Sequence, residues 1–194
     1  MAIETELKAR VNDPEKVRAA LSNEGDFCYS FLKKDTYWTF PKKTRGKVRI
    51  RNQEKIYPNG ETCNSILVTY KTRELHGEIE VNNEQEFTIS NSDAFENILS
   101  YLGLTRSIYK EKQGWAWNIS DTDSNTLLLA ELSQVKNLGW FIELELMSES
   151  RDEQLLEQNC SRLLRLLEKL EIPRESIESR PYTELVKLEQ CALI

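Results

Sequence analysis

Along most of this chain hydrophobic and polar residues alternate with the period of two that marks a half-buried β-strand. The polar positions are repeatedly charged. In Ile3-Glu4-Thr5-Glu6-Leu7-Lys8, the residues Glu4, Glu6 and Lys8 share one face, opposite Ile3, Thr5 and Leu7. Val48-Arg49-Ile50-Arg51 puts two arginines on one face, and Tyr109-Lys110-Glu111-Lys112 two lysines. Ile142-Glu143-Leu144-Glu145-Leu146 sets two glutamates opposite three aliphatics. The alternation predicts strands over roughly 2–10, 27–40, 47–52, 66–72, 78–89, 105–119, 126–133 and 140–147. Turns are expected at Tyr57-Pro58-Asn59-Gly60, at Gly114 and over Asp121–Asn125. Strands with one charged and one apolar face predict a closed barrel with a polar lumen, packed outside by helices.

Helical signals fall between and after the strands. Asp13-Pro14 reads as an N-cap and first-turn proline, opening a helix through Val17, Ala20 and Leu21 that ends near Gly25. Ser92 is expected to cap an amphipathic helix carrying Phe95, Ile98, Leu99 and Leu102, closed by Gly103. Ser150 is expected to open a longer one whose Leu155, Leu156, Leu163, Leu166, Leu167 and Leu170 would cover the barrel's outside. Pro173 ends that region, and Pro181 starts a last helix through Leu185 and Leu188. Regular strand–helix–strand alternation is missing, so the class is α+β, a barrel of about eight antiparallel strands and not a doubly wound sheet.

With 194 residues, 39% hydrophobic and 30% charged, the chain suits a soluble globular protein of one domain or two small ones. No stretch reads as a membrane span or a signal peptide. Cys28, Cys63, Cys160 and Cys191 are scattered without metal spacing, which points to unpaired thiols in a reducing, cytoplasmic setting. A net charge of −6 and a pI near 5.1 disfavour nucleic acid as a partner, because phosphate neutralisation needs a basic surface. An internal basic site stays compatible with that balance. The single histidine, His76, sits beside Gly77 in an expected turn and reads as a surface residue.

The charged strands also form an ordered set of motifs. Glu4, Glu6 and Lys8 make an N-terminal ExExK; Asp35-Thr36-Tyr37 follows as DxY, Arg49-Ile50-Arg51 as RxR, and Tyr70-Lys71 as YK. Glu84-Gln85-Glu86, Leu102-Gly103 and the basic pair Lys110 and Lys112 come next. Leu138-Gly139-Trp140-Phe141-Ile142-Glu143-Leu144-Glu145 fits LGxFxEIE, and Tyr182-Thr183-Glu184-Leu185 a terminal SYxEL. In this order the chain resembles, over almost its whole length, the CYTH superfamily of triphosphate tunnel metalloenzymes, which includes class IV adenylyl cyclases and thiamine and inorganic triphosphatases. The resemblance implies a single CYTH-like domain over 1–194, a triphosphate compound as substrate (ATP, thiamine triphosphate or tripolyphosphate), Mg²⁺ or Mn²⁺ as cofactor, and a monomer or homodimer. It leaves three activities open: hydrolysis of the triphosphate, cyclisation of ATP to cyclic AMP, and binding without turnover.

Chemistry distributes the roles. A triphosphate needs several fixed cations, which Lys8, Arg49, Arg51, Lys71, Lys110 and Lys112 supply from different strands, with Lys8, Arg51 and Lys71 the expected catalytic ones. Carboxylates beside a polyanion make sense as holders of a hard divalent cation. Glu4, Glu6, Glu143 and Glu145 are the first candidates and Glu84 and Glu86 the second, with Glu78 and Glu80 a competing pair. One position departs from the family: the strand before LGxF carries Ser133 where an acidic ligand is usual, and Glu131, two residues earlier on the same face, is the expected replacement. Tyr37, Tyr70, Trp115 and Trp117 are placed either to stack on an organic substituent or, as strand aromatics usually do, to pack.

Overall fold

The computed structural model describes residues 3–41, 47–121, 124–150 and 152–192; within its strands the side chains of Lys71 and Glu84 lie outside the described residues. The strand alternation closes on itself around β1 (Ile3–Val11), whose Ile3, Leu7, Ala9 and Val11 are buried on the outer face while Glu4, Glu6 and Lys8 turn into a lumen. The others are β2 (Asp26–Thr39), β3 (Lys47–Ile56), β4 (Thr62–His76), β5 (Ile79–Ile89), β6 (Thr105–Asp121), β7 (Ser124–Val135) and β8 (Gly139–Ser148). They form a closed antiparallel barrel in the order β1-β5-β4-β3-β2-β6-β7-β8. Every strand is paired on both sides over part of its length, which limits the edge available for aggregation. The β1–β8 ladder runs from Ile3 opposite Ser148 to Val11 opposite Trp140, but β5 covers only Ile3 to Glu6. Beyond that, the C-terminal segment takes over the edge: Ala9 bridges Ile177, and the Glu178 N–H donates to the Lys8 carbonyl at 2.8 Å.

The helices pack where the sequence left apolar outer faces. The first, α1 (Pro14–Glu24), starts at Asp13, whose side chain accepts from the Lys16 N–H. Its Val17 and Leu21 join Leu163, Leu166 and Leu167 of α3 (Glu153–Lys169), and Leu170 at its C-cap, over Leu7, Trp117, Leu132 and Leu144. The leucine-rich helix therefore covers the barrel as expected. On another side Leu99 of α2 (Ser92–Tyr101) packs over Trp38, Val48, Ile50 and Val68. The helix α4 (Tyr182–Ala192) sends Tyr182 and Leu185 against the inward-facing Val135 and Phe141, filling one end of the barrel. Glu178 secures its approach through Arg10 at 3.1 Å and Arg180 at 2.7 Å.

Three local expectations are corrected. Asn91 and Asp152, not Ser92 and Ser150, cap α2 and α3, accepting from Ala94 and Leu155 N–H. An N-cap side chain accepts from the N–H two or three residues on, here the third in both helices. Ser92 is already helical, and Ser150 instead accepts from the Asp152 N–H. Gly114 makes no turn: β6 runs unbroken through it, paired to Ser133 of β7. A Cβ there would lie 2.0 Å from the Leu132 carbonyl oxygen, so glycine answers a close approach of backbones. Gly114→Ala should therefore lower stability by about 1–3 kcal/mol, as overpacking does; an unchanged urea midpoint would show that β6 and β7 separate freely.

Candidate active site

The inward-facing side chains line a cavity of about 950 Å³. Strand parity selects them, and register sorts them by sign. From β1, β7 and β8 come Glu4, Glu6, Glu131, Glu143 and Glu145, with Glu6 opposite Glu145 and Glu131 opposite Glu143. From β2, β3 and β6 come Lys33, Arg49, Arg51, Lys110 and Lys112. Lys8 ends the acidic strand face of β1, opposite Glu143.

The basic wall is built on two buried carboxylates. Asp35 lies in register with both Arg51 and Lys110. It accepts from Arg51 Nε at 2.7 Å and Nη2 at 2.9 Å, and Lys110 Nζ lies 3.1 Å away. Burial alone would raise the Asp35 carboxyl, but the charges of Arg51 and Lys110 outweigh it and hold the group well below the usual carboxylate range. Glu131 accepts from Lys33 and, at 3.0 Å, from Lys112, which also reaches Glu143. Burial lowers Lys33 to about 8 despite Glu131, whereas for Lys112 the charges of Glu143 and Glu131 overcome burial and raise it. Arg49 donates to Thr69 Oγ1 at 2.9 Å and pairs with Glu86 at 3.5 Å. Lys8 donates to the Arg180 carbonyl at 2.6 Å and stands 4.6 Å above the Tyr182 ring. The C-terminal segment thus fixes the lysine of the ExExK motif.

The acidic wall concentrates like charge. Burial first, then Glu4, Glu131, Glu6 and Glu143, hold Glu145 well above the usual carboxylate range. Ligand atoms of Glu4, Glu6 and Glu145 lie within 4.8 Å of one another, as do those of Glu131, Glu143 and Glu145. Glu143 Oε1 is buried without a hydrogen-bond partner among the described residues. Crowded anionic oxygens of this kind fit a hard divalent cation such as Mg²⁺ or Mn²⁺.

This frame decides a family. Residues 2–182 match the CYTH domain. The chain belongs to the CYTH family. Solved structures share its fold. PH1819 of Pyrococcus horikoshii OT3 is 24% identical with a TM-score of 0.81, covering 96% of this chain and 99% of that one. A candidate adenylate cyclase of Vibrio parahaemolyticus is 18% identical with a TM-score of 0.75, covering 95% and 98%. HpAC1 of Hippeastrum, an adenylyl cyclase candidate described with a dominant triphosphatase activity, is 14% identical with a TM-score of 0.61, covering 93% and 91%. Comparison with curated proteins gives no match. No helix among the described residues is long and apolar enough to cross a membrane.

Within the CYTH barrel Lys8, Arg49, Arg51, Lys110, Lys112, Glu4, Glu6, Glu86, Glu131, Glu143 and Glu145 all line the cavity. Glu86 stands exposed at its rim. Lys71 and Glu84 face each other in register, their side chains outside the described residues. Of the competing pair, Glu80 lines the cavity, 3.9 Å from Lys8, and Glu78 is exposed. Of the four aromatics, Tyr37 lines the cavity. Trp115 stacks on Trp140 under Arg18, Trp117 is in the outer core, and Tyr70 packs beside Val68. Glu131 turns inward, while the Ser133 hydroxyl is buried without a hydrogen-bond partner among the described residues. Sequence reasoning assigned no role to Lys33, Asp35, Tyr29 or Tyr182. The parity of Tyr29-Phe31-Lys33-Asp35-Tyr37 carries the signal for β2, but Lys34 beside Lys33 obscures the alternation.

Proposed function

We propose that this CYTH protein binds a triphosphate compound with Mg²⁺ or Mn²⁺ in its lumen and hydrolyses it. The observation that carries the reading is one cavity in which Glu4, Glu6 and Glu145 form a close carboxylate group facing Arg49, Arg51, Lys110 and Lys112. The arginines and lysines would grip phosphoryl oxygens, Arg51 being preoriented by its two bonds to Asp35. Lys8, next to both walls, is suited to hold the transferring phosphoryl group, with Lys71 completing the set. A divalent cation held by Glu4, Glu6 and Glu145, beside Glu143 and Glu131, would neutralise developing charge and activate water, with Glu84 and Glu86 the second-tier candidates from the motifs. Positioning and charge neutralisation do most of the work in phosphoryl transfer. Hydrolysis is preferred to cyclisation because it demands no positioned ribose hydroxyl.

The test is incubation with Mg²⁺ or Mn²⁺ and ATP, thiamine triphosphate or tripolyphosphate, with products separated by ion exchange. A diphosphate with orthophosphate is expected. Cyclic AMP with pyrophosphate would replace the hydrolase by a cyclase, and binding without product would establish a triphosphate sensor in which Ser133 has cost the chemistry. Lys8→Ala should weaken tripolyphosphate binding about ten- to a hundredfold, the worth of one charge-assisted hydrogen bond. Wild-type affinity by calorimetry in that variant would remove Lys8 from the cradle.

A further inference from the structure

The two carboxylate groups of the lumen share Glu145. In the group of Glu131, Glu143 and Glu145, the first two are engaged by ammonium groups. Glu131 Oε1 accepts from Lys33 and Oε2 from Lys112 at 3.0 Å, and Lys112 reaches Glu143 Oε2 as well. Lys33 is 5% exposed, Lys112 2% and Glu131 1%, so solvent cannot take over these contacts. Glu143 Oε1 is left without a hydrogen-bond partner among the described residues, but any divalent cation drawn to it would lie against the two ammonium charges. The neighbouring Ser133, whose hydroxyl is buried without a hydrogen-bond partner among the described residues, adds no carboxylate to this group. Lys112 belongs to the phosphate-binding wall in any case. Lys33, which enters from β2, pairs with Glu131.

Resting on the metal-and-triphosphate reading above, we propose that Lys33 is a built-in counter-ion standing where a second divalent cation would sit. This barrel then holds one metal ion, at Glu4, Glu6 and Glu145, and Lys33 with Lys112 keeps metal out of the Glu131–Glu143–Glu145 group. Lys33 is in this sense a specificity-determining residue, setting the metal count without touching the reacting phosphorus.

The experiment is a Mn²⁺ titration of the whole protein, without nucleotide, followed by electron paramagnetic resonance. Wild type should take up one Mn²⁺ per chain and show the six-line spectrum of an isolated ion. Lys33→Met, similar in length and uncharged, should take up two, and because Glu145 is common to both groups their spectrum should be broadened by coupling. Lys33→Arg, which keeps the charge, should remain at one. Two ions in wild type, or one ion in folded Lys33→Met, would overturn the assignment. If circular dichroism shows that the methionine variant does not fold, Lys33→Gln, which can still donate to Glu131, carries the same expectation of two. A count that ignores Glu6→Gln, or no Mn²⁺ bound by wild type, would instead overturn the metal reading on which this rests, so the two failures are distinguishable.

Discussion

Arg51→Ala is expected to lower the unfolding free energy by about 3–5 kcal/mol, the usual consequence of removing one partner of a buried ion pair. Asp35 is fully buried and its two carboxylate oxygens are both held by the Arg51 guanidinium. With Arg51 gone, Lys110 alone would have to compensate a charge that water cannot reach. Lys8 is different: its contacts are a carbonyl, an aromatic face and Glu80 at 3.9 Å, so its loss should spare the fold more. Triphosphate affinity should fall in both variants, but only Arg51→Ala should move the urea midpoint far. The pH dependence supplies a second check. Because Asp35 is held well below its ordinary value of 3.8, it contributes stability that is fully present above that value and is lost as pH falls beneath it. Arg51→Ala should flatten this acid limb. A wild-type midpoint and acid limb in the variant would show that Lys110 suffices for Asp35.

Glu145→Gln is expected to reduce metal-supported turnover by about 100-fold or more, since it removes the one carboxylate common to both groups. The same substitution should raise the stability of the metal-free protein above pH 4.5, because folding no longer has to protonate a carboxyl held well above its usual range by burial and by Glu4, Glu131, Glu6 and Glu143, while the side chain keeps its shape. Function lost with stability gained separates a metal ligand from a structural residue, whose replacement would lower both. Thermal melts with and without Mg²⁺ read the two effects together: wild type should gain more from the metal than Glu145→Gln does. Equal gains would remove Glu145 from the ligand set.

Both expectations combine something local with something that is not. Which side chains point inward was legible in the sequence, because strand parity is fixed by the pleat over a few residues. Glu4, Glu6 and Lys8, Arg49 and Arg51, Lys110 and Lys112, and Glu143 and Glu145 all face the lumen for that reason. The helix faces followed in part from short-range periodicity: Leu99, Leu163, Leu166 and Leu167 pack as it implies, whereas Ile98, Leu102 and Leu188 are exposed, and the capping residues slipped by one or two positions. What the sequence by itself determined was thus a barrel with charge inside and leucine outside. The tertiary structure alone decided which charges meet. Asp35 finds Arg51 and Lys110, and Glu131 finds Lys33 and Lys112, through the registers of β2 with β3 and β6 and of β6 with β7. Lys8 meets the Arg180 carbonyl 172 residues away because β5 stops short and the C-terminal segment takes its edge. Register and stagger are properties of the closed ring as a whole, so no window of sequence holds them. Gly114 makes the same point in reverse: a residue that reads locally as a turn is kept small by a backbone from another strand.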